Sequence, residues 1–312
     1  MTSALVQRAG ALIPVLDIGG THVTAALVDP ATSRPVPSSV LRRPLDSDAA
    51  GDSILDTVAL AALELPAEHR PCWGVAIPGP FDYDTGVGRF TGIGKFETLS
   101  GVDVGAGLRW RLGHRAERLR FLNDADAFAI GEYHAGSAGG HERVVCLTLG
   151  TGVGSSFLRS GVPVHDDTQV PPDGHVHRLT MRDRPLEDLV SRRAIRARYA
   201  GLVSLAEDRD PPDVHEIAAL AKGGDPAASE AFRYAFASLG EVLAPWIVRF
   251  AATAVVVGGS MAQSWDLIHP PLSAGLVRTG GITVRVLPAR QPAEAPLIGA
   301  AHWAHDTAST AP

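Results

Sequence analysis

Two segments of the chain share one pattern, and that pattern limits what the rest can be. VLDIGGTHVTAALV near the start and LTLGTGVGSSFL in the middle each read as an apolar strand, a glycine-rich turn and a second strand. Glycine leaves the N–H groups of such a turn uncovered by side chains, so each hairpin can present donors to an anion. One glycine-rich hairpin by itself is equally well read as a simple turn of the chain. Two of them in matching contexts, more than a hundred residues apart, predict two related domains facing one another, with a polyphosphate gripped from both sides.

Between the hairpins, strand-like and helix-like runs alternate, the pattern of an α/β protein. Strands are predicted at 13–17, 23–28, 73–77, 120–122, 144–149, 154–158, 254–257 and 283–287. Helices are predicted at 53–65, 125–133, 187–199, 214–221, 228–250 and 296–305. The 312 residues are 45% hydrophobic, enough for one large core or two ordinary ones. A formal charge of −6 argues against a partner such as nucleic acid or an anionic membrane, both of which need a strong positive field. The N-terminal run MTSALVQRAGALIPVLDIGG lacks a secretory pattern, and no stretch reaches the roughly 18 apolar residues of a membrane span, so a cytoplasmic location is expected. The two cysteines, Cys72 and Cys146, sit in strand-like apolar runs and read as small buried hydrophobes. The basic residues are nearly all arginine, a compositional bias that carries no chemistry.

A set of short motifs resembles the sugar kinases and repressors of the ROK family, within the actin/hexokinase/Hsp70 superfamily. Asp17-Ile18-Gly19-Gly20-Thr21 is similar to the first phosphate motif, and Pro78-Gly79-Pro80 to the sugar-side turn. Asn123-Asp124-Ala125 with Ala129-Ile130-Gly131-Glu132 resembles the catalytic segment and its helix. Leu149-Gly150-Thr151-Gly152-Val153-Gly154 resembles the second phosphate motif, Val257-Gly258-Gly259-Ser260 the adenosine-side turn, and Leu297-Ile298-Gly299-Ala300-Ala301 the C-terminal helix. The matches run in the family's order from about residue 13 to residue 301. The resemblance implies an α/β, two-domain actin-like (ribonuclease H-like) ATPase fold with an interdomain cleft. The domains expected are 1–118, completed by a helix at 297–312, and 119–296.

Phosphoryl transfer asks a protein for phosphate cradles, a metal site and a base. Gly19, Gly20 and Thr21 in one hairpin and Gly150, Thr151 and Gly152 in the other can aim N–H and hydroxyl groups at the phosphates of ATP, with Gly258 and Gly259 on the adenosine side. Asp17 ends the first strand and could hold Mg²⁺, through water, or simply cap the turn. Asp124 follows the apolar pair Phe121-Leu122 and opens a helix, which places it at a strand's C-terminal end, where open α/β folds bind ligands. The resemblance makes Asp124 the catalytic base and Asn123 a hydrogen-bonding partner of the sugar; either could also serve only as the helix N-cap. It further assigns Glu187 to sugar hydroxyls and Gly79 to close approach on the opposite wall, with 91–96 reaching over the pocket. Asp126 is assigned to the surface or to support of Asp124.

The resemblance breaks at Gly174-His175-Val176-His177-Arg178. Family members there carry Gly-Glu-Ile-Gly-His and a cysteine cluster that binds structural zinc. Here His175 replaces the sugar-binding Glu, Arg178 replaces the zinc-binding His, and 179–186 hold no cysteine, so no zinc site is expected. Read as a strand, the segment sends His175 and His177 to opposite faces, which disfavours joint metal ligation. His175 is read as a substrate contact, with a structural role as the alternative. Replacing an acceptor-only carboxylate with imidazole changes the hydroxyl pattern accepted. An aminosugar or a cyclitol, as phosphorylated by similar actinobacterial kinases, joins glucose among the expected substrates. The arginines of 178–198 read as a solvated helix face.

The expected activity is therefore ATP-dependent phosphorylation of a primary hydroxyl, equivalent to O6 of a hexose, with ATP and Mg²⁺ as cofactors. The family's common arrangement implies a homodimer. A plain glucokinase and a non-catalytic sugar-binding relative are the alternatives. A repressor would need a helix-turn-helix domain ahead of the first hairpin, which begins by Ile13.

Overall fold

The computed structural model describes residues 12–206, 209–281 and 284–306. The predicted strand start at Thr283, the N-terminal residues 1–11 and the helix tail 307–312 lie outside them. The chain divides into two units, Met1–Gly136 with Ala293–Pro312, and Ser137–Pro292.

In the first unit the strands are β1 (Ile13–Ile18), β2 (His22–Asp29), β3 (Arg34–Pro35), β4 (Leu41–Pro44), β5 (Cys72–Ile77), the short pair β6 (Phe81–Asp82) and β7 (Val87–Gly88), and β8 (Arg118–Asn123). The main sheet runs β3-β2-β1-β5-β8, with β4 also on β2. β1 and β2 form the antiparallel hairpin, in register Asp17 with Thr24. β5 lies parallel to β1 and β8 parallel to β5, so that Ile77 pairs with Asn123. The boundary expected after residue 118 is corrected here: β8 completes the first sheet and carries Asn123 and Asp124 into the first unit.

The central strands are covered on both faces, which is why IPVLDI and CWGVAI read as near-continuous apolar runs. Helices Asp124–Ala135 and Ala295–Asp306 pack closely because a side chain on Gly131 would enter the backbone of Ala295, and one on Gly299 that of Ala127. On helix Val104–Leu112, capped by Asp103 accepting from Ala106 N at 2.7 Å, Gly107 faces Leu55 and Gly105 faces Phe121. The sequence reading missed that helix because two glycines lower its propensity by about 1 kcal/mol each relative to alanine.

The second unit contains β9 (Arg143–Leu149), β10 (Val153–Arg159), β11 (Val162–Pro163), the pair β12 (Thr180–Met181) and β13 (Arg184–Pro185), β14 (Ala254–Gly258) and β15 (Arg285–Pro288). Its sheet runs β11-β10-β9-β14-β15. Here too an antiparallel hairpin, β9-β10, is followed by two parallel strands, β14 and β15. The repeat seen in the two glycine hairpins is thus a repeat of whole sheets.

The 25-residue helix Pro226–Phe250 lies against helix Trp265–Gly280. A side chain on Gly240 would meet Leu272 and Gly275, and one on Gly275 would meet Ala237. Helix Trp265–Gly280 was also unforeseen, since Pro270 and Pro271 lie inside it and proline normally ends a helical pattern. The single helix expected at 187–199 is two, Glu187–Val190 and Arg192–Leu202. Ser191 adopts extended backbone between them and caps the second by accepting from Ala194 N. Cys146 is buried in β9 and Cys72 is half-buried in β5, and neither forms a disulfide.

Candidate active site

In the first unit, the β1-β2 turn is closed by Gly19 N donating to His22 O at 2.8 Å and tied to the chain after β4 by Leu45 N donating to Thr21 O at 2.9 Å. The Thr21 hydroxyl bonds His22 Nδ1 at 2.8 Å. Gly20 stands open: a methyl group placed on it would have Lys95 Cδ at 3.9 Å and Ser47 Oγ at 4.0 Å as its nearest neighbours. Asp17 lies two residues before this turn, in register with Ala76 of β5.

Asn123 ends β8 and caps the next helix, its Oδ1 accepting from Ala125 N at 2.9 Å. Its Nδ2 donates to the Tyr83 hydroxyl at 2.9 Å, and Tyr83 donates in turn to Ile77 O at 3.3 Å. A side chain on Gly79 would press on that hydroxyl at 3.2 Å, so Gly79 and Asn123 meet around Tyr83. Asn123 thus caps the helix through its oxygen while its nitrogen holds Tyr83, as its two polar ends allow.

Asp124 is the first residue of the helix, and its Oδ1 accepts from Ala125 N at 2.9 Å. Burial pushes its carboxyl above the usual range; Lys95 and the Ala125 N–H oppose the rise and Asp126 adds to it. Asp124 nonetheless keeps a face open to solvent, which limits the size of the shift and leaves the carboxylate within reach of a ligand. Asp17 is pushed up to about 7 by burial and then by the like charge of Asp124, with Arg42 pulling the other way. A buried carboxylate raised by a neighbouring carboxylate is a donor that a cation relieves. Among the described residues no three His, Cys, Asp or Glu side chains gather to hold a metal. Asp17 would thus supply a single carboxylate to Mg²⁺, a fit for an ion that takes its other ligands from phosphate and water. Asp126, expected at the surface or behind Asp124, is buried.

In the second unit, Gly150 N donates to Gly152 O at 3.0 Å to close the β9-β10 turn. Ser260 of the β14 turn lies beside Gly150, and Gly259, at φ 85°, packs on the Leu149 backbone where a side chain would collide. Glu187 Oε1 occupies the space over Gly152 that any Cβ would need. Gly150, Thr151, Gly152, Gly258, Gly259 and Glu187 are thereby gathered at one end of the second sheet.

The segment around His175 is not a strand. It folds as two 3-10 turns, Pro172–Gly174 and Val176–Arg178, joined by His175 in extended conformation. Ser155 pins it, donating to Gly174 O at 2.7 Å and accepting from Val176 N at 2.9 Å. The His175 and His177 rings lie 5.1 Å apart at 34°, a correction to the expectation of opposite faces. Burial lowers the His177 pKa, against the pull of Glu187. Arg178 pairs with Asp173, and the hairpin β12-β13 spans 180–185, with Arg182 and Asp183 at positive φ in its turn.

Two residues beside these groups, His177 and Tyr83, carried no role in the sequence reading, and a third, Lys95, entered it only within 91–96, the segment expected over the pocket. His177 stood in the motif that departs from the family. Tyr83 had no motif to mark it. Lys95 had a faint signal, being one of only two lysines in a chain rich in arginine.

The sequence profile of the ROK family matches residues 14–307. A glucokinase of Thermotoga maritima is 28% identical over 281 residues, covering 84% of this chain and 86% of that protein. A glucokinase of Streptomyces coelicolor is 26% identical over 93% of this chain and 96% of its own length. Among solved structures, the ROK hexokinase of Thermus thermophilus superposes with a TM-score of 0.79 at 25% identity, covering 96% of this chain and all of that one. The Streptomyces griseus ROK glucokinase, solved with glucose and AMPPNP, gives 0.75 at 24%, covering 95% and 99%. With two sheets of one topology, each ending in a glycine hairpin, and a match over nearly its whole length, the chain belongs to the ROK family and has the two-domain α/β fold of the actin-like superfamily.

Proposed function

We propose that this protein is an ATP-dependent sugar kinase with Asp124 as its base. The observation that carries this reading is the position of Asp124 at the C-terminal end of a parallel strand, solvent-accessible and within electrostatic reach of Asp17 beside the glycine hairpin. The acceptor hydroxyl oxygen forms a bond to the γ-phosphorus as the bond from that phosphorus to the β,γ-bridging oxygen breaks. The departing electron pair stays on ADP and the hydroxyl proton passes to Asp124. A carboxyl raised by burial accepts that proton more readily than an exposed one. Mg²⁺, when bound, neutralises developing phosphate charge; Asp17 is the residue to hold it.

Asn123 and Glu187 orient the sugar, and the relatives named glucokinase and hexokinase support a hexose as the acceptor class. His175 in place of a carboxylate favours an aminosugar or cyclitol over glucose, with a primary hydroxyl as the attacking group. ADP release with Mg-ATP, measured against glucose, mannose, N-acetylated and amino hexoses and C7 cyclitols, tests both levels. Turnover with one compound, lost in Asp124→Asn, supports the kinase and names its substrate; best turnover with glucose sinks the aminosugar and cyclitol reading. ATP binding without turnover across the panel counts for a non-catalytic relative.

A further inference from the structure

Lys95 is held over the first phosphate turn by a built support. The residue after it, Phe96, is fully buried, packs its ring 5.3 Å from that of Phe90, and takes left-handed backbone at φ 57°. Phe96 N donates to Ser47 O at 2.9 Å and Thr98 Oγ1 to Ala49 O at 2.7 Å, which fastens the segment to the chain leaving β4. On the other side of the lysine, Gly94 N donates to Glu97 Oε1 at 2.9 Å. From this anchored backbone the half-buried side chain extends to Gly20, the open residue of the β1-β2 turn.

The ammonium is not consumed by the fold. Among the described residues, no hydrogen bond or ion pair claims it. It is nevertheless the cation that acts most strongly on Asp124. A lysine that feels a carboxylate without closing an ion pair to it leaves room for a group between the two. Where the base is poised to take the proton of an acceptor hydroxyl that attacks phosphorus beside a phosphate turn, the group of matching size and opposite charge is the phosphoryl itself.

We propose that Lys95 is a catalytic residue whose ammonium contacts the equatorial oxygens of the phosphoryl group in flight from ATP to the acceptor. This rests on the kinase reading above. As the acceptor oxygen bonds to phosphorus and the bond to the bridging oxygen of ADP breaks, negative charge spreads over those oxygens. The proton goes to Asp124, and Lys95 stays protonated throughout. A fixed positive charge aimed at that position lowers the barrier without reorganising, the effect for which loss of one donor costs about 10²–10³ in kcat.

Lys95→Met is expected to lower kcat by about two to three orders of magnitude while the acceptor KM stays close to that of the wild type. In Lys95→Cys, alkylation with 2-bromoethylamine rebuilds an ammonium at the same reach and is expected to restore most of the activity; wild-type protein treated alike controls for Cys72 and Cys146. An unchanged kcat, a rise in acceptor KM at constant kcat, or failure of alkylation to restore a folded Lys95→Cys protein would each overturn the assignment. A binding measurement covers the case of an unrecognised acceptor. ADP with aluminium fluoride, a phosphoryl mimic, should bind Lys95→Met at least tenfold more weakly than wild type, with ADP alone binding both equally; equal affinity for the mimic sinks the role of Lys95. Wild-type protein that binds no nucleotide at all sinks the kinase reading first, and the lysine assignment with it.

Discussion

Asp17 and Asp124 are the two side chains whose chemistry is most altered by where they sit. Asp124→Asn keeps the shape and the helix start but cannot accept a proton, so kcat should fall by at least the 10²–10⁴ typical of a general base, with circular dichroism unchanged. Asp17 makes a separate prediction about stability. Its folded pKa of about 7 exceeds the ordinary carboxylate value, so the folded protein holds a proton there that the unfolded chain has released. Its contribution is therefore undisturbed at low pH and becomes increasingly unfavourable as pH rises from about 4 to above 7. In protein free of metal and nucleotide, Asp17→Asn should raise Tm, and by more at pH 8 than at pH 5; equal shifts at both would show that burial does not disfavour this charge. Gly152→Ala tests the second unit: the new methyl must displace Glu187. Displacing a substrate-positioning group by about an ångström costs roughly a hundredfold in kcat/KM, and a variant with normal sugar kinetics would remove Glu187 from the site. Asp17 and Asp124 were legible from sequence because each stands at a strand end beside a turn or helix signal. Tyr83 was not, and Lys95 was expected only as part of 91–96, since their partners Asn123 and Gly20 lie 40 and 75 residues away along the chain and no local pattern links them.

Among the elements, the hairpins were readable because turn glycines and strand periodicity act over a few residues. Helices Val104–Leu112 and Trp265–Gly280 were not, because Gly105, Gly107, Pro270 and Pro271 argue locally against helix. They form because packing outweighs propensity: Gly107 is where Leu55 needs room, and Gly275 is where the backbones of two helices meet. Gly131 and Gly299, read at first as parts of family motifs, are likewise contact points between helices. Gly299→Ala should destabilise the fold by about 1–3 kcal/mol through overpacking and so lower Tm, while leaving ATP affinity near wild type; a loss of nucleotide binding at unchanged Tm would instead give Gly299 a direct part in the site.

At the scale of the molecule, two sheets of one topology carry one glycine hairpin each, and the segment where relatives of the family bind structural zinc is a short hairpin without cysteine. Chelation of the ligand-free protein should therefore leave Tm unchanged, and elemental analysis should find no stoichiometric zinc; a fall in Tm on chelation would reveal a metal site elsewhere. The division into two α/β halves, the glycine turns, and the aspartates and asparagine at the strand ends were determined by the sequence alone, because strand period, turn glycine and helix capping are short-range effects. The tertiary structure alone decided that β8 closes the first sheet and carries Asp124 with it. It also decided that His175 and His177 face one another across a tight turn, and that Lys95 reaches Gly20. Each depends on contacts between distant or unpatterned segments, whose free energy comes from packing and loop closure and leaves no periodic trace in the chain.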